Sequence, residues 1–144
     1  MRILRRFKLY TICTLVILFV RLGLWMTKYQ RIRSVLVRPC DADPQIQRKG
    51  TVIHTLRAVG RVARLVPDAS CLTQTIAGQT LLSWKGIPTN INMGVMKDSE
   101  GTLNVHAWLV WNGVVVLQGD ESTAKKFSKI LDLPTPSKIQ TADA

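Results

Sequence analysis

Cysteine and histidine are the residues of this chain that could carry nucleophilic chemistry. Cys71 follows Pro67-Asp68-Ala69-Ser70, a pattern typical of a helix start, so its thiol is expected in the first turn of a helix. The unpaired N–H groups and the dipole of a helix start favour a thiolate, and the same N–H groups can stabilise an oxyanion beside the sulfur. Cys13 lies inside an apolar run and Cys40 in a linker. Cys71 is therefore the candidate nucleophile.

His106 is the candidate general base. It lies in the middle of a predicted strand, within Asn104-Val105-His106-Ala107-Trp108, whereas His54 lies on a basic predicted helix and is interpreted as a surface residue. A strand histidine that faces a helix-start cysteine takes the thiol proton and later gives it to the leaving amine. The pair alone is weak evidence, because a single histidine on a strand is more often structural.

A third group should orient the imidazole. The candidates after the predicted hairpin are Gln118, Asp120 and Glu121. The Asn112-Gly113 dipeptide is a strong hairpin signal, and a regular hairpin places Gly119 opposite His106, with side chains 118 and 120 on the other face of the sheet. A one-residue bulge at Gly119 would turn Asp120 toward the histidine, so Asp120 is predicted ahead of Gln118. The competing interpretation of Asp120 is a solvated acid at a strand end.

The elements that must position these residues are helices first and strands second. Helices are predicted over residues 3–38 (one or two), 45–66 and 70–85, the last ending at Gly86. Patterns of period two then predict strands over 89–96, 103–111 and 114–118, and a short helix or turn over 123–131. This order predicts an α+β fold with an antiparallel sheet.

The N-terminal region is apolar and basic. Leu9–Val20 is an apolar run of 12 residues that Arg21 ends, and a second apolar patch covers Leu22–Met26. Spanning a bilayer takes about 20 apolar residues, and a central arginine costs several kcal/mol there. No small-residue cleavage site follows, which argues against a signal peptide. The region is interpreted as helices packed against the rest of the protein, with peripheral membrane contact and a true span as the alternatives.

Charge is distributed unevenly along the chain. The 144 residues are enough for one domain and carry a formal net charge of +11. Residues 1–66 carry 14 Lys or Arg and two acids, whereas residues 67–144 carry six Lys and seven acids. A basic half favours an acidic partner or an anionic surface, or is simply a solvated face. Nucleic acid is not expected, because the basic residues lie in predicted helices without the motifs of the common binding modules.

The cysteines do not form a recognisable framework. There are three of them, widely spaced and without a CxxC motif, and the two histidines do not cluster with them. Neither a disulfide framework nor a zinc site is predicted, and no metal or cofactor is expected. Reduced thiols favour the cytoplasm.

Several short motifs follow one another in order between residues 45 and 133. They are Val66-Pro67-Asp68-Ala69-Ser70-Cys71-Leu72, Leu81-Leu82, Gly86-Ile87-Pro88, Gly94-Val95, His106-Ala107-Trp108-Leu109 and Asn112-Gly113. Together they resemble the leader peptidases of lasso-peptide biosynthesis, a family of the transglutaminase-like superfamily. The organisation expected from this resemblance is a hydrophobic and basic helical region over 1–44 and a transglutaminase-like (papain-like) protease core over 45–133. In that core a catalytic helix packs on the sheet, and a flexible tail over 134–144 is expected after it.

The resemblance implies a cysteine protease that removes the leader from a lasso-peptide precursor through a thioester. Cys71 would be the nucleophile, His106 the base, and an aspartate shortly after the hairpin the third residue. The position 12 residues after the histidine is Gln118, with Asp120 two further on. A glutamine would not stabilise an imidazolium as a carboxylate does.

The short chain also resembles the split form of the family, which lacks a leader-recognition domain. That form implies three partners: the precursor peptide, a separate leader-recognition protein, and a lasso cyclase that acts next. The basic first half is interpreted as a docking surface for one of these partners or for the leader.

Two other functions are compatible with the same residues. An amidase or acyl transferase would use the same cysteine and histidine and differ only in whether water or an amine takes the acyl group. A non-enzymatic basic module that binds a membrane or a nucleic acid would leave both residues structural.

Overall fold

The chain folds into helices followed by one antiparallel sheet in the computed structural model, which describes residues 2–41 and 48–138. The helices in these ranges are α1 (Arg2–Met26), α2 (Tyr29–Leu36), α3 (Lys49–Ala63), α4 (Cys71–Ser83) and α5 (Glu121–Lys126). The strands are β1 (Asn90–Lys97), β2 (Leu103–Trp111), β3 (Val114–Leu117) and β4 (Ser128–Pro134). The predicted α+β class is confirmed. The predicted boundary between residues 44 and 45 lies within residues 42–47, outside the described residues.

Helices α1, α3 and α4 form the main core with one face of the sheet. Helix α3 buries Val52, Leu56, Val59 and Val62 at the spacing that its sequence predicts. Helix α4 is buried over most of its surface, because α1, α3 and the sheet all pack against it. This burial fixes the direction of α4 and therefore the position of its first residue, Cys71.

The sheet has the strand order β3-β2-β1-β4, and each neighbouring pair is antiparallel. The predicted Asn112-Gly113 turn is confirmed, since both residues have positive φ angles, 48° and 76°, that connect β2 to β3. Leu109 pairs with Leu117 while Val110 pairs with Val115, so the strand bulges at Val116. A bulge therefore forms in β3, but three residues before the predicted position at Gly119.

The fourth strand is absent from the sequence-based prediction, which gave a short helix or turn over 123–131. The helix α5 ends at Lys126, and residues 128–134 instead pair with β1 at the edge of the sheet. Most side chains of β4 are exposed, so the segment lacks the apolar alternation that predicts a strand. Pairing with β1, which lies about 35 residues earlier, is the interaction that stabilises it.

The first residues of the predicted tail over 134–144 pack against the sheet. Pro134 belongs to β4, and Thr135 is buried and donates its N–H to the Thr89 carbonyl at 2.9 Å. The Thr135 hydroxyl oxygen also accepts from the Thr89 N–H at 3.0 Å. Residues 139–144 lie outside the described residues.

Helix α1 packs against the protein along one face. Cys13, Val16, Ile17 and Val20 are almost completely buried, and α1 lies against α3 and α4. Arg21, which interrupts the apolar sequence, forms an ion pair with Asp68 at 3.3 Å. Among the described residues, one helix, Ile3–Met26, is long and apolar enough to cross a membrane, judged by length and composition alone.

Candidate active site

Cys71 is the first residue of α4, as predicted. The Ser70 hydroxyl oxygen caps the helix by accepting from the Thr73 N–H at 3.2 Å. The N–H groups of Cys71 and Leu72 lie in the first turn, where no preceding turn of the helix supplies carbonyl partners. The Cys71 side chain is half-buried. The thiol therefore lies at the positive end of the helix dipole, with main-chain donors beside it.

The other two cysteines are buried. Burial raises the pKa of the Cys13 thiol to about 11, although the charge of Lys85 opposes the shift. Burial also raises the pKa of Cys40, and the charge of Asp41 adds to the effect. The raised pKa values disfavour the thiolate form of both thiols near neutral pH. Cys71 is therefore the candidate nucleophile among the three.

Gln79 fixes α4 against the sheet and against α2. Its amide nitrogen donates to the carbonyls of Thr89 and Leu133 at 3.0 and 2.9 Å, and its oxygen accepts from Arg33 at 2.9 Å. The side chain is fully buried, so these bonds satisfy an amide that would otherwise be costly to bury. The sequence analysis missed this residue. A glutamine between Ala77 and Leu81 on an apolar helix indicates a buried amide that needs hydrogen-bond partners.

His106 is held by a main-chain carbonyl. Its Nε2 atom lies 2.7 Å from the carbonyl oxygen of Gln118. A carbonyl only accepts, so Nε2 carries the hydrogen and Nδ1 is the nitrogen left to accept a proton. The ring also packs against Trp108 and Phe127, with ring centroids 6.2 and 5.1 Å away, and these two rings pack against each other at 6.3 Å. These contacts fix the tautomer and the plane of the imidazole.

Gln118 connects the histidine to the nucleophile helix. It follows the last residue of β3 with a positive φ of 64°, and Gly119 has a φ of 128°, so the chain turns sharply out of the strand here. The Gln118 side-chain amide donates to the Gln74 side-chain oxygen, and Gln74 in turn donates to the Ala69 carbonyl at 3.0 Å. Gln74 is three residues after Cys71 and lies on the same side of α4. Gln118 therefore contacts both His106 and the first turn of α4.

Asp120 does not lie against His106 as the sequence predicts. Its carboxylate caps α5 and accepts from the Thr123 N–H at 2.8 Å, the Thr123 hydroxyl at 2.9 Å and the Ser122 hydroxyl at 2.7 Å. The Ser122 and Thr123 hydrogen bonds hold the pKa of Asp120 at about 2. The aspartate side chain is short, and free N–H and O–H groups lie two and three residues after it. It therefore accepts these local hydrogen bonds and stays away from the sheet.

The structure does not join Cys71 and His106 directly. The alternation of β2 places His106 with Trp108 on one face, while Ala107 and Leu109 face the core that contains α4. Among residues 2–41 and 48–138, no hydrogen bond links the Cys71 sulfur to His106. Gln118 contacts His106 through its carbonyl and Gln74, three residues after Cys71 on α4, through its side chain.

No group of three His, Cys, Asp or Glu side chains in the described part of the chain could hold a metal ion. The reactive groups identified at the site are therefore a thiol, an imidazole, two side-chain amides and main-chain donors. Such a set suits acyl transfer through a thioester.

A sequence model of the transglutaminase-like superfamily matches residues 14–132. The match covers most of the chain, which therefore belongs to this superfamily. Its members are mostly cysteine peptidases and acyltransferases. Comparison with curated proteins and with solved structures gave no match. The cysteine at the start of a helix and the histidine on β2 are residues of the types that such enzymes use.

Proposed function

We propose that this protein is a cysteine protease that cleaves the leader from a lasso-peptide precursor, with Cys71 as nucleophile and His106 as general base. The observation that carries the proposal is the contact of Gln118 with both His106 and the first turn of α4. It ties the strand that bears the base to the helix that bears the nucleophile. The choice of a lasso-peptide precursor as substrate rests on the order of the sequence motifs.

The proposed reaction proceeds through two acyl-transfer steps. Nδ1 of His106 takes the thiol proton, and the Cys71 sulfur attacks the scissile carbonyl carbon. The oxyanion forms beside the first-turn N–H groups of α4, and the imidazolium then gives its proton to the leaving amine. Water attacks the resulting thioester, loses a proton to His106, and releases the carboxylate and the thiol.

The two side chains must approach each other for the first proton transfer. Because His106 lies on the sheet face of Trp108 and α4 packs on the other face, this approach requires a rearrangement of the chain around Gln118 when the substrate binds. Throughout the cycle the Gln118 carbonyl accepts from Nε2–H of His106. Its partial negative charge favours the imidazolium, although less strongly than a carboxylate does.

An apolar groove that reaches Leu117 suits a peptide substrate better than a small amide, although Cys71, His106 and Gln118 do not line it. It has a volume of about 540 Å³ and lies between α3 and the edge strand β3. Its lining includes Val52, Ile53, Leu56, Lys49, Arg57 and residues 114–117. Since β3 ends at Leu117, next to Gln118, an extended chain along the free edge of β3 would lead toward Cys71. The two cations suit a leader with acidic residues.

The proposed setting is the cytoplasm, with partners supplied in trans. A separate leader-recognition protein would deliver the precursor, and a lasso cyclase would act on the released core peptide. The basic residues of the first half of the chain would dock one of these partners or the leader.

The test is incubation of the purified chain with the precursor peptide and the leader-recognition protein, followed by mass spectrometry. Leader release is expected from the wild type, and loss of at least about a thousandfold from Cys71→Ala and His106→Gln. Cys40→Ala is the matched control, because it removes a thiol outside the site, and it should cleave normally.

The masses of the products separate the possible outcomes. Hydrolysis adds one water across the peptide bond, whereas transfer to an added amine gives an amide and assigns the acyl-transferase activity instead. Full cleavage by Cys71→Ala would refute the proposed nucleophile. No cleavage by a folded wild-type chain would refute the lasso-precursor assignment.

A further inference from the structure

Helix α1 carries an apolar stripe on the face opposite to its buried one, interrupted by Thr11. Apart from a gap of eight positions between Phe7 and Leu15, the stripe residues recur at helical spacing, and they are 42% to 85% exposed. They are Ile3, Leu4, Phe7, Leu15, Leu18, Phe19, Leu22, Trp25 and Met26. With a rise of about 1.5 Å per residue, the stripe is more than 30 Å long. An apolar patch of this size marks a surface that binds a partner or a membrane.

The one polar residue within the stripe has its hydroxyl group hydrogen-bonded. Thr11 lies within it, and its hydroxyl donates to the Phe7 carbonyl at 2.9 Å, so the group does not need water. Trp25, which is 83% exposed, lies near one end of the stripe and Phe7 near the other. Aromatic rings at such positions are favoured at the boundary between water and lipid.

Positive charge surrounds the stripe. Residues 1–40 contain nine Lys or Arg and no acid. Arg5, Arg6 and Lys8 are exposed at the start of α1, and Lys28 and Arg31 are exposed just beyond its end. Cations at both ends of an apolar stripe complement a surface of anionic headgroups, and each contributes favourably when it lies near such a surface.

The packing of α1 argues against a transmembrane position. Its opposite face contributes Cys13, Ile17 and Val20 to the protein core. The Tyr10 hydroxyl accepts from Arg61 on α3 at 2.9 Å, which places a guanidinium beside α1. Burying the whole circumference of α1 in hydrocarbon would require the loss of this core or the burial of charges from α3.

We propose that α1 lies in the plane of an anionic lipid surface, with its exposed stripe embedded among the headgroups and the upper acyl chains. The protein core and α3 then remain on the aqueous side. The inference does not depend on the proposed protease activity, since it rests on the exposed face and the charge of α1 alone.

The test is cosedimentation of the full chain with phosphatidylcholine vesicles that contain about 30% phosphatidylglycerol, compared with vesicles of phosphatidylcholine alone. Binding should be at least about tenfold stronger to the anionic vesicles and should weaken at about 1 M salt. Leu18→Glu/Leu22→Glu should reduce binding at least about tenfold, because it places two charges in the embedded stripe.

Leu103→Glu/Ile130→Glu is the matched control. It makes the same change in net charge at two exposed apolar residues of the sheet, 67% and 60% exposed. It should bind within about twofold of the wild type, since the sheet remains in water. Trp25→Ser is a second stripe variant that keeps the net charge, and it should also weaken binding. Thermal unfolding verifies that each variant is folded.

Three results would overturn the inference. Equal losses of binding in the stripe and sheet variants would show that net charge alone governs binding. Vesicle-bound protein that resists a carbonate wash would indicate a span instead. A dimer that Leu18→Glu/Leu22→Glu converts to a monomer, together with no vesicle binding by the wild type, would show that a second copy covers the stripe.

Discussion

Gly94 lies on β1 directly opposite His106, and its replacement by alanine should destabilise the fold. A β-carbon at this position would lie 2.9 Å from Cβ of Phe127, 3.0 Å from the Ser128 carbonyl oxygen and 3.0 Å from the Trp108 ring. Ordinary van der Waals contacts to a β-carbon are 3.4–4 Å. Two of the three atoms belong to or adjoin the backbone that enters β4, so they cannot move aside by a simple side-chain rotation.

The expected magnitude comes from two opposing effects. Overpacking of a tight site costs about 1–3 kcal/mol. Replacing glycine by alanine also reduces the entropy of the unfolded chain, which returns about 0.4–1 kcal/mol. The net loss for Gly94→Ala is therefore between about 0 and 2.6 kcal/mol, or up to about 10 °C in the unfolding temperature of a domain of this size.

Gly60→Ala is the matched control. Gly60 lies within α3, and no atom is within 4 Å of a β-carbon built there. The same substitution should therefore stabilise the protein, by about 0.5–1 kcal/mol. Urea unfolding followed by circular dichroism measures both variants, and the difference between them should be about 2 kcal/mol.

The result also bears on the active site, because Phe127 and Trp108 both pack against His106. Any shift that accommodates the new methyl group moves these rings, so peptide cleavage by Gly94→Ala should fall more than its stability explains. A Gly94→Ala protein as stable as Gly60→Ala would refute the close approach of β4 to β1 at this point.

The remaining predictions concern the thiols and the residues after β3. Iodoacetamide at about pH 8 should alkylate Cys71 first, because burial raises the pKa of Cys13 to about 11 and that of Cys40 as well, and peptide mapping reports the order. Gln118→Gly should lower cleavage by about tenfold, because it suits the φ of 64° and retains the carbonyl bonded to His106 but loses the side-chain bond to Gln74 on α4. Unchanged cleavage would show that the link between Gln118 and α4 is not needed. Asp120→Ala should destabilise the protein without changing the pH profile of cleavage. Because the folded-state pKa of Asp120 is lowered from 3.8 to about 2, its contribution is present above about pH 4 and is lost as the pH falls toward 2, which urea unfolding across that range measures.

Local sequence signals predicted most elements of the fold. The Ser70 cap and the Asn112-Gly113 turn act over a few residues, so α4 and the β2–β3 hairpin could be located without tertiary information. The edge strand β4 could not be located, because its exposed and charged side chains give no alternating pattern. Its strand conformation depends on hydrogen bonds to β1, which the local sequence does not reveal.

The candidate site was predicted in part. Cys71 and His106 occupy the predicted kinds of position, a helix start and the middle of a strand. Asp120 was placed wrongly. Its carboxylate could bond either His106 or the donors of Ser122 and Thr123, and it bonds the donors that are nearer in the chain. The role of the Gln118 carbonyl follows from a positive φ and from the bulge at Val116, neither of which a period-two pattern shows.

The sequence by itself determined the elements whose causes are local: the helix that begins at Cys71, the strand that carries His106 and the turn that follows it. Helix caps, turn residues and hydrophobic periods act over two to four residues, so they can be recognised directly. Only the tertiary structure decided which carbonyl holds His106, what Asp120 binds, and which of the two apolar faces of α1 enters the core. Each of these outcomes is a competition between partners far apart in the chain, and the packing of α1, α3, α4 and the sheet determines which partner is within reach.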